Sequence, residues 1–157
     1  MLGISKVITA IKKKLNKAFP KIEVQMQDVE EGFKRPSFFI ELTNIKSKDF
    51  MKSFKDNSLT IRIIYFPSHP HKNQLELLKM MDELDKIFIE DNVLELDVDF
   101  RTEIYETDKN VVDKVLHYSF DIYFSEQYIK EMIEVEMMEN LEFKMEMMKD
   151  IEIKGRN

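Results

Sequence analysis

Ile4, Val7, Ile8, Ile11, Leu15 and Ala18 recur at steps of three and four residues, while Ser5, Lys6, Thr9, Lys12, Lys13, Asn16 and Lys17 fill the remaining surface. That spacing predicts an amphipathic helix with one apolar face. The helix should stop at Phe19, because Pro20 biases the residue before it away from helical φ/ψ. The period then changes to two. Ile22, Val24 and Met26 alternate with Glu23, Gln25 and Gln27, predicting a half-buried strand that runs to a turn at Gly32, where positive φ carries no steric cost. Pro36 lacks an N–H and belongs at the first residue of a second strand. On that strand Phe38, Ile40 and Leu42 share one face and Ser37, Glu41 and Thr43 the other. Phe39 is apolar on the polar side and needs its own cover.

From Asn44 to Ser58 the alternation fades into lysines, serines and aspartates broken by Phe50, Met51 and Phe54. The expectation is a long polar loop, and long ordered loops are often functional. Leu59, Ile61, Ile63 and Tyr65 resume the strand period up to Pro67, and the natural partner is the strand from Pro36. Asn73 followed by Glu76 has the form of a capping box opening a second helix. Its stripe is Leu77, Met81, Leu84 and Phe88, widened by Leu78, Met80 and Ile87, and Asn92 ends it. Leu94, Leu96, Val98 and Phe100 then alternate with acidic residues. After a turn near Asp108 to Asn110, the run Leu116, Tyr118, Phe120, Ile122 and Phe124 repeats the period of two.

The last thirty residues read two ways. Ile133, Val135, Met137, Leu141, Phe143, Met145, Met147, Ile151 and Ile153 occupy odd positions opposite many glutamates, a strand signature. Ile133, Met137, Leu141, Met145 and Met148 also form a helical row, and Glu and Met are good helix formers. The odd-position rule covers more residues, so strands, as a hairpin, are the expectation. The predicted architecture is α+β: a mostly antiparallel sheet of about five strands with two helices on one face, built by residues 1–128, plus a C-terminal arm over residues 129–157.

Composition changes this picture little. The 157 residues suit one domain, and 43% hydrophobic with 34% charged residues is a globular balance. A net charge of -6 gives no general affinity for nucleic acid. Without cysteine there is no disulfide framework, thiolate metal site or Cys nucleophile. Neither a signal peptide nor a membrane span is expected, and the protein reads as soluble and intracellular.

Candidate chemistry is sparse. His69 and His71 flank Pro70 but lack an evident third ligand, and His117 sits on the polar phase of a strand. Asp97 and Asp99, with Glu95, share a predicted strand face, where solvated charge explains them better than paired acid and base. No Gly-rich phosphate loop or nucleophile elbow occurs. Lys6, Lys12, Lys13, Lys14 and Lys17 make the first helix basic, and Lys46, Lys48, Lys52 and Lys55 do so for the long loop.

One run stands out: Glu30 to Leu42, EEGFKRPSFFIEL. Together with the opening helix ending in Phe-Pro, the IRIIYFP strand, the helix after it and the closing strand pair, it resembles small tail terminator proteins of phages and phage-derived particles of Gram-positive bacteria. The resemblance implies a structural subunit without catalytic residues, metal or cofactor. Such subunits form a hexameric ring on the head-proximal end of a tail tube, stop its polymerisation and face the head connector. It further implies a virion, prophage or headless bacteriocin particle assembled in the bacterial cytoplasm. The partners would be further copies and the tail tube protein, with sheath and connector proteins beyond; there would be no membrane, and DNA would only pass through the lumen. A terminator must match one face of the growing tube while presenting a different opposite face. The expected contacts are Lys46, Lys48, Phe50, Met51, Lys52 and Phe54 in the loop, and Leu141, Phe143 and Met145 in the arm. Two other readings stay open: another tail completion or tube-associated protein, and a metal- or ligand-binding domain using the acidic strand and the His69–His71 loop.

Overall fold

The opening helical period is α1 (Ile4–Ala18) in the computed structural model, which describes residues 3–26, 33–128 and 138–149. Val7, Ile11 and Leu15 are fully buried, and the chain leaves the helix at Phe19, as Pro20 requires. The strands that follow are β1 (Glu23–Gln25), β2 (Ser37–Phe50), β3 (Phe54–Phe66), β6 (Thr107–Val112) and β7 (Val115–Gln127), in the sheet order β1-β2-β3-β7-β6. Only β1 runs parallel to its neighbour; the other pairings are antiparallel. β4 (Val93–Asp97) and β5 (Phe100–Glu103) form a separate small hairpin. The fold is α+β with a mostly antiparallel sheet, as the periodicities predict.

One face of the large sheet holds the core. Phe38, Ile40, Leu59, Ile61, Ile63, Tyr65, Leu116, Tyr118, Phe120 and Ile122 project to it, beneath α1, α2 (Gln74–Asp85) and the small hairpin. After Asp85 the second helix widens into a π-type turn, Lys86–Glu90, that seats Phe88 at 5.0 Å from the Phe120 ring. Phe39 finds its cover on the other face, edge-on to Phe33 and Phe66, with the Arg35 guanidinium over both of those rings.

Four expectations need correction. The polar stretch from Asn44 to Ser58 is no loop: β2 and β3 continue through it as one long hairpin, with a bulge between Thr43 and Lys46 and Asn44 at φ 51°. Alternation vanishes there because polar residues occupy both faces, not because the strand ends. The predicted strand through Val98 to Phe100 instead folds back after Asp97, whose carboxylate accepts the Val98 N–H, leaving Val98 87% exposed. The turn expected at Asp108–Asn110 lies later, at Asp113 and Lys114, both left-handed (φ 50° and 60°), with Val112 opposite Val115. Two consecutive left-handed residues match the twist of a two-residue hairpin. Finally, residues 138–149 form a helix, α3, rather than the expected strand. A lone strand leaves its backbone groups unpaired, whereas a helix pairs them internally, and the Glu, Met and Lys composition favours that outcome. The Gly32 turn and the apolar odd positions Ile133, Val135, Met137, Ile151 and Ile153 lie outside the described residues.

Candidate functional site

The far end of the sheet gathers most of the candidate contact residues. Beyond the bulge, Lys46, Lys48 and Phe50 point to the face away from the helices, opposite Ser58, Asp56 and Phe54. The turn joining the strands runs through Met51 and Lys52, both left-handed (φ 53° and 61°), which holds the Met51 side chain 75% exposed at the apex. Phe50 and Phe54 are paired across the strands and remain exposed. Three apolar side chains at a solvent-facing tip contribute nothing to the chain's own core, so they suit a contact surface.

Polar pairing makes this tip stiff. Glu126, 3% exposed, accepts from Lys55 at 2.8 Å and from Asn57 Nδ2 at 3.2 Å, and Ser47 Oγ donates to Asn57 Oδ1 at 2.8 Å. Tyr128 closes the structure from the side: its N–H donates to Ser53 O at 2.9 Å and its hydroxyl to Asp49. A buried carboxylate needs such satisfied partners to be tolerated. Sequence reading missed Glu126, Asn57 and Tyr128, although a glutamate on the apolar phase of β7, in line with Ile122 and Phe124, is a visible signal.

Among the described residues, neither long edge of the tip has a paired strand. β1 pairs with β2 only from Ser37 to Phe39, and β6 pairs with β7 only as far as Phe120. Among the described residues, Ile40–Phe50 and Asp121–Gln127 therefore have no strand partner on their outer sides, apart from the Thr102 hydroxyl that donates to Tyr123 O at 2.8 Å. Unpaired edges of this kind are templates for strand addition.

Leu141, Phe143 and Met145 lie on α3, where every residue is exposed. Leu141 and Met145 share a stripe with Met138 and Met148, and Phe143 projects on the opposite side, as helical spacing requires.

The chemical candidates disperse. His69 and His71 stand exposed in the loop before α2, and there the expected capping box does not form. Asn73 donates instead to the carbonyls of His69 and Lys114, and Glu76 accepts from Ser68 and Tyr65. Burial acts to raise the Glu76 pKa, but those hydrogen bonds outweigh it and hold the carboxyl below its ordinary range. His117 lies near Arg62 and Glu41, and burial, helped by Arg62, lowers its pKa. Asp97 pairs with Lys6 and Glu95 with Arg101 at 3.4 Å, while Asp99 is solvated in the turn. Lys14 leaves the basic surface of α1: it donates to the Asp91 and Val93 carbonyls and lies 5.7 Å from the Phe88 ring centroid, with its pKa lowered by burial. Among the described residues no group of three or more His, Cys, Asp or Glu side chains could hold a metal ion.

A largely apolar concavity lies at the other end of the sheet. A groove of 710 Å³ runs between α2 and β6, lined by Leu75, Leu78, Met81 and Val111, with Lys72 and Lys114 at its rim. Leu78, assigned by its spacing to the buried stripe, is 49% exposed here, and Leu75 is 66% exposed.

A sequence model of the phage tail terminator protein family matches residues 6–136. Among solved structures, the fold is similar to the sheath/tube terminator of PVC, an extracellular contractile injection system, in its extended state, with a TM-score of 0.48 and 13% identity. That alignment covers 82% of this chain and 58% of the other, so the chain spans little more than half of that protein. No curated protein matches the sequence.

Proposed function

The chain belongs to the phage tail terminator family, and on that premise we propose that it closes into a hexameric ring on the head-proximal end of a tail tube. There it ends tube polymerisation and offers the surface on which the head connector docks. Its setting is a phage tail or tail-like particle, and its role is structural.

The observation that carries this reading is the pair of bare edges on opposite sides of one stiffened tip. The outer edge of β2 in one copy complements the outer edge of β7 in the next, and a contact between two different surfaces propagates until rotation closes it. Phe50, Met51 and Phe54 at the apex then bury against a neighbour or against the tube. The lysines Lys46, Lys48 and Lys52 multiply by symmetry into a basic band.

The test is mass measurement in solution, with and without the tail tube protein, followed by negative-stain imaging. Annular particles, and tubes capped at one end whose growth stops, are expected. A molecule that stays solitary in both settings overturns the reading. Reversing charge at Lys46, Lys48 and Lys52 together should impair ring formation; wild-type rings from that variant would remove the basic band from the account.

A further inference from the structure

We infer that α3 of one copy lies in the α2–β6 groove of the next copy, tying the ring together with a swapped arm. This rests on the ring reading above and adds the pair of surfaces that hold neighbours.

The two surfaces match in chemistry. The groove offers Leu75, Leu78, Met81 and Val111, with Lys72 and Lys114 together at one end, where Lys114 donates to the carbonyl of His71. Helix α3 presents Met138, Leu141, Met145 and Met148 as one stripe, each more than half exposed. By helical spacing Glu142, then Glu146 and Glu139, lie along one flank of that stripe, with Lys149 at its C-terminal end, and Lys144 borders the other flank. An apolar row with carboxylates along one side suits an apolar groove with lysines at one end, in the helix-in-groove mode. Methionine side chains adapt to such a surface without a preformed shape. The twelve residues of α3 are about 18 Å long at 1.5 Å per residue, enough to lie along α2, which has the same length.

Reach favours a neighbour's groove over the chain's own. The tether begins at Tyr128, bonded to the tip at Ser53, while the groove adjoins Lys114 at the opposite end of β7. The twelve steps from Val115 to Gln127 cover roughly 40 Å at strand rise. Ten peptide steps from Tyr128 to Met138 span at most about 36 Å even when fully extended. A helix attached at one end of a strand, with its receptor at the other end, is poorly placed to satisfy itself. It serves a copy arranged head to tail, the contact type from which rings are made.

The chain has no cysteine, so introduced thiols report only on the positions chosen. Full-length chains carrying Leu78→Cys are mixed with full-length chains carrying Leu141→Cys under mild oxidation. Disulfide-linked heterodimers inside annular particles are expected. Rings that form without the cross-link overturn the arm and leave the ring reading standing. Solitary chains, by mass, overturn both. A cross-link that forms only within a chain bearing both cysteines assigns the groove to its own arm and also overturns the proposal. As a second measure, Lys72→Glu and Glu142→Lys should each weaken self-association roughly tenfold, and the combination should restore it; failure of the rescue counts against the pairing.

Discussion

One sheet carries two regions built to opposite rules. At its near end, from Ser37 to Leu42 and from Leu59 to Phe66, every second side chain enters a core shared with α1 and α2. At its far end, from Asn44 to Ser58, the same two strands stay antiparallel in a register shifted by the bulge, yet the face toward the helices is held by Ser47, Asn57, Lys55 and Glu126, and the apolar residues crowd the apex. The near end is stabilised by burial and the far end by hydrogen bonds and charge. The lesson is that a strand's length follows from its pairing, whereas its hydrophobic period reports only what covers it.

Breaking the near end should have the largest effect. Phe88 is fully buried between Tyr118 and Phe120, so Phe88→Ala removes a ring and leaves a cavity, costing about 3–5 kcal/mol. At this chain size that corresponds to a fall in Tm of roughly 10 °C, readable by calorimetry or circular dichroism. A loss below about 1 kcal/mol would show that the π-type turn refills the space. At the far end, Glu126→Ala removes the acceptor of the buried Asn57 amide and one ionic partner of Lys55, and a cost of about 1–3 kcal/mol is expected. Its signature should be local. Amides of residues 46–50 and 54–58 exchange faster while those of Ile61 and Ile63 stay protected, and uniform loss of protection would mean the two regions unfold as one unit.

Legibility in the sequence divides along the same line. The near strands, α1 and the buried stripe of α2 follow from Val7, Ile11, Leu15, Ile61, Ile63, Leu77 and Leu84, because burial on one side writes a period into the chain. The hairpin extension is invisible to that rule: Lys48 opposite Asp56 and Asp49 opposite Lys55 are strand neighbours chosen for charge, which reads as loop in one dimension. The proposed contact residues at the tip are legible only as apolar side chains that break a polar run. Phe50, Met51 and Phe54 draw attention because they interrupt a stretch long enough to read as a functional loop. The groove was not legible, since Leu78 fits the buried stripe by spacing and only the placement of β6 shows that it stays open. The arm was misjudged because a short helix and an alternating strand both place Leu141 and Met145 on one side.

A smaller effect probes the seam between α2 and the sheet. The buried Tyr118 hydroxyl donates to Asp85 at 2.8 Å, and burial, reinforced by that carboxylate, pushes its pKa well above the ordinary tyrosine value. Tyr65 is raised in the same way, by burial and by Glu76. The folded state therefore holds these protons more tightly than the unfolded state. The associated stability is fully present below pH about 10 and is lost as pH rises through the folded values. Tyr118→Phe should cost about 1 kcal/mol at neutral pH through the lost hydrogen bond. With Tyr65→Phe added, the decline between pH 10 and 11 should flatten, and an unchanged slope would place the alkaline transition elsewhere.

The smallest change in stability should accompany a large change in behaviour, at Met51. Its side chain is 75% exposed and its backbone is left-handed, a conformation asparagine adopts more readily than methionine. Met51→Asn therefore keeps the turn and removes only the apolar apex, so the Tm should stay within the range of about 0.5 kcal/mol typical of surface substitutions. Phe88→Ala and Met51→Asn then form a pair. The first lowers stability at the near end and leaves the assembly surfaces intact, so its rings should form at low temperature; the second leaves stability intact and should weaken ring formation or tube capping, as judged by mass and negative-stain imaging. If Met51→Asn assembles like the wild type, the apex is a solvated turn that happens to carry a methionine, and the bare strand edges must supply the contact. If it folds normally and stays solitary, the far end of the sheet exists for the neighbouring molecule, which is why its residues obey no rule of the chain's own core.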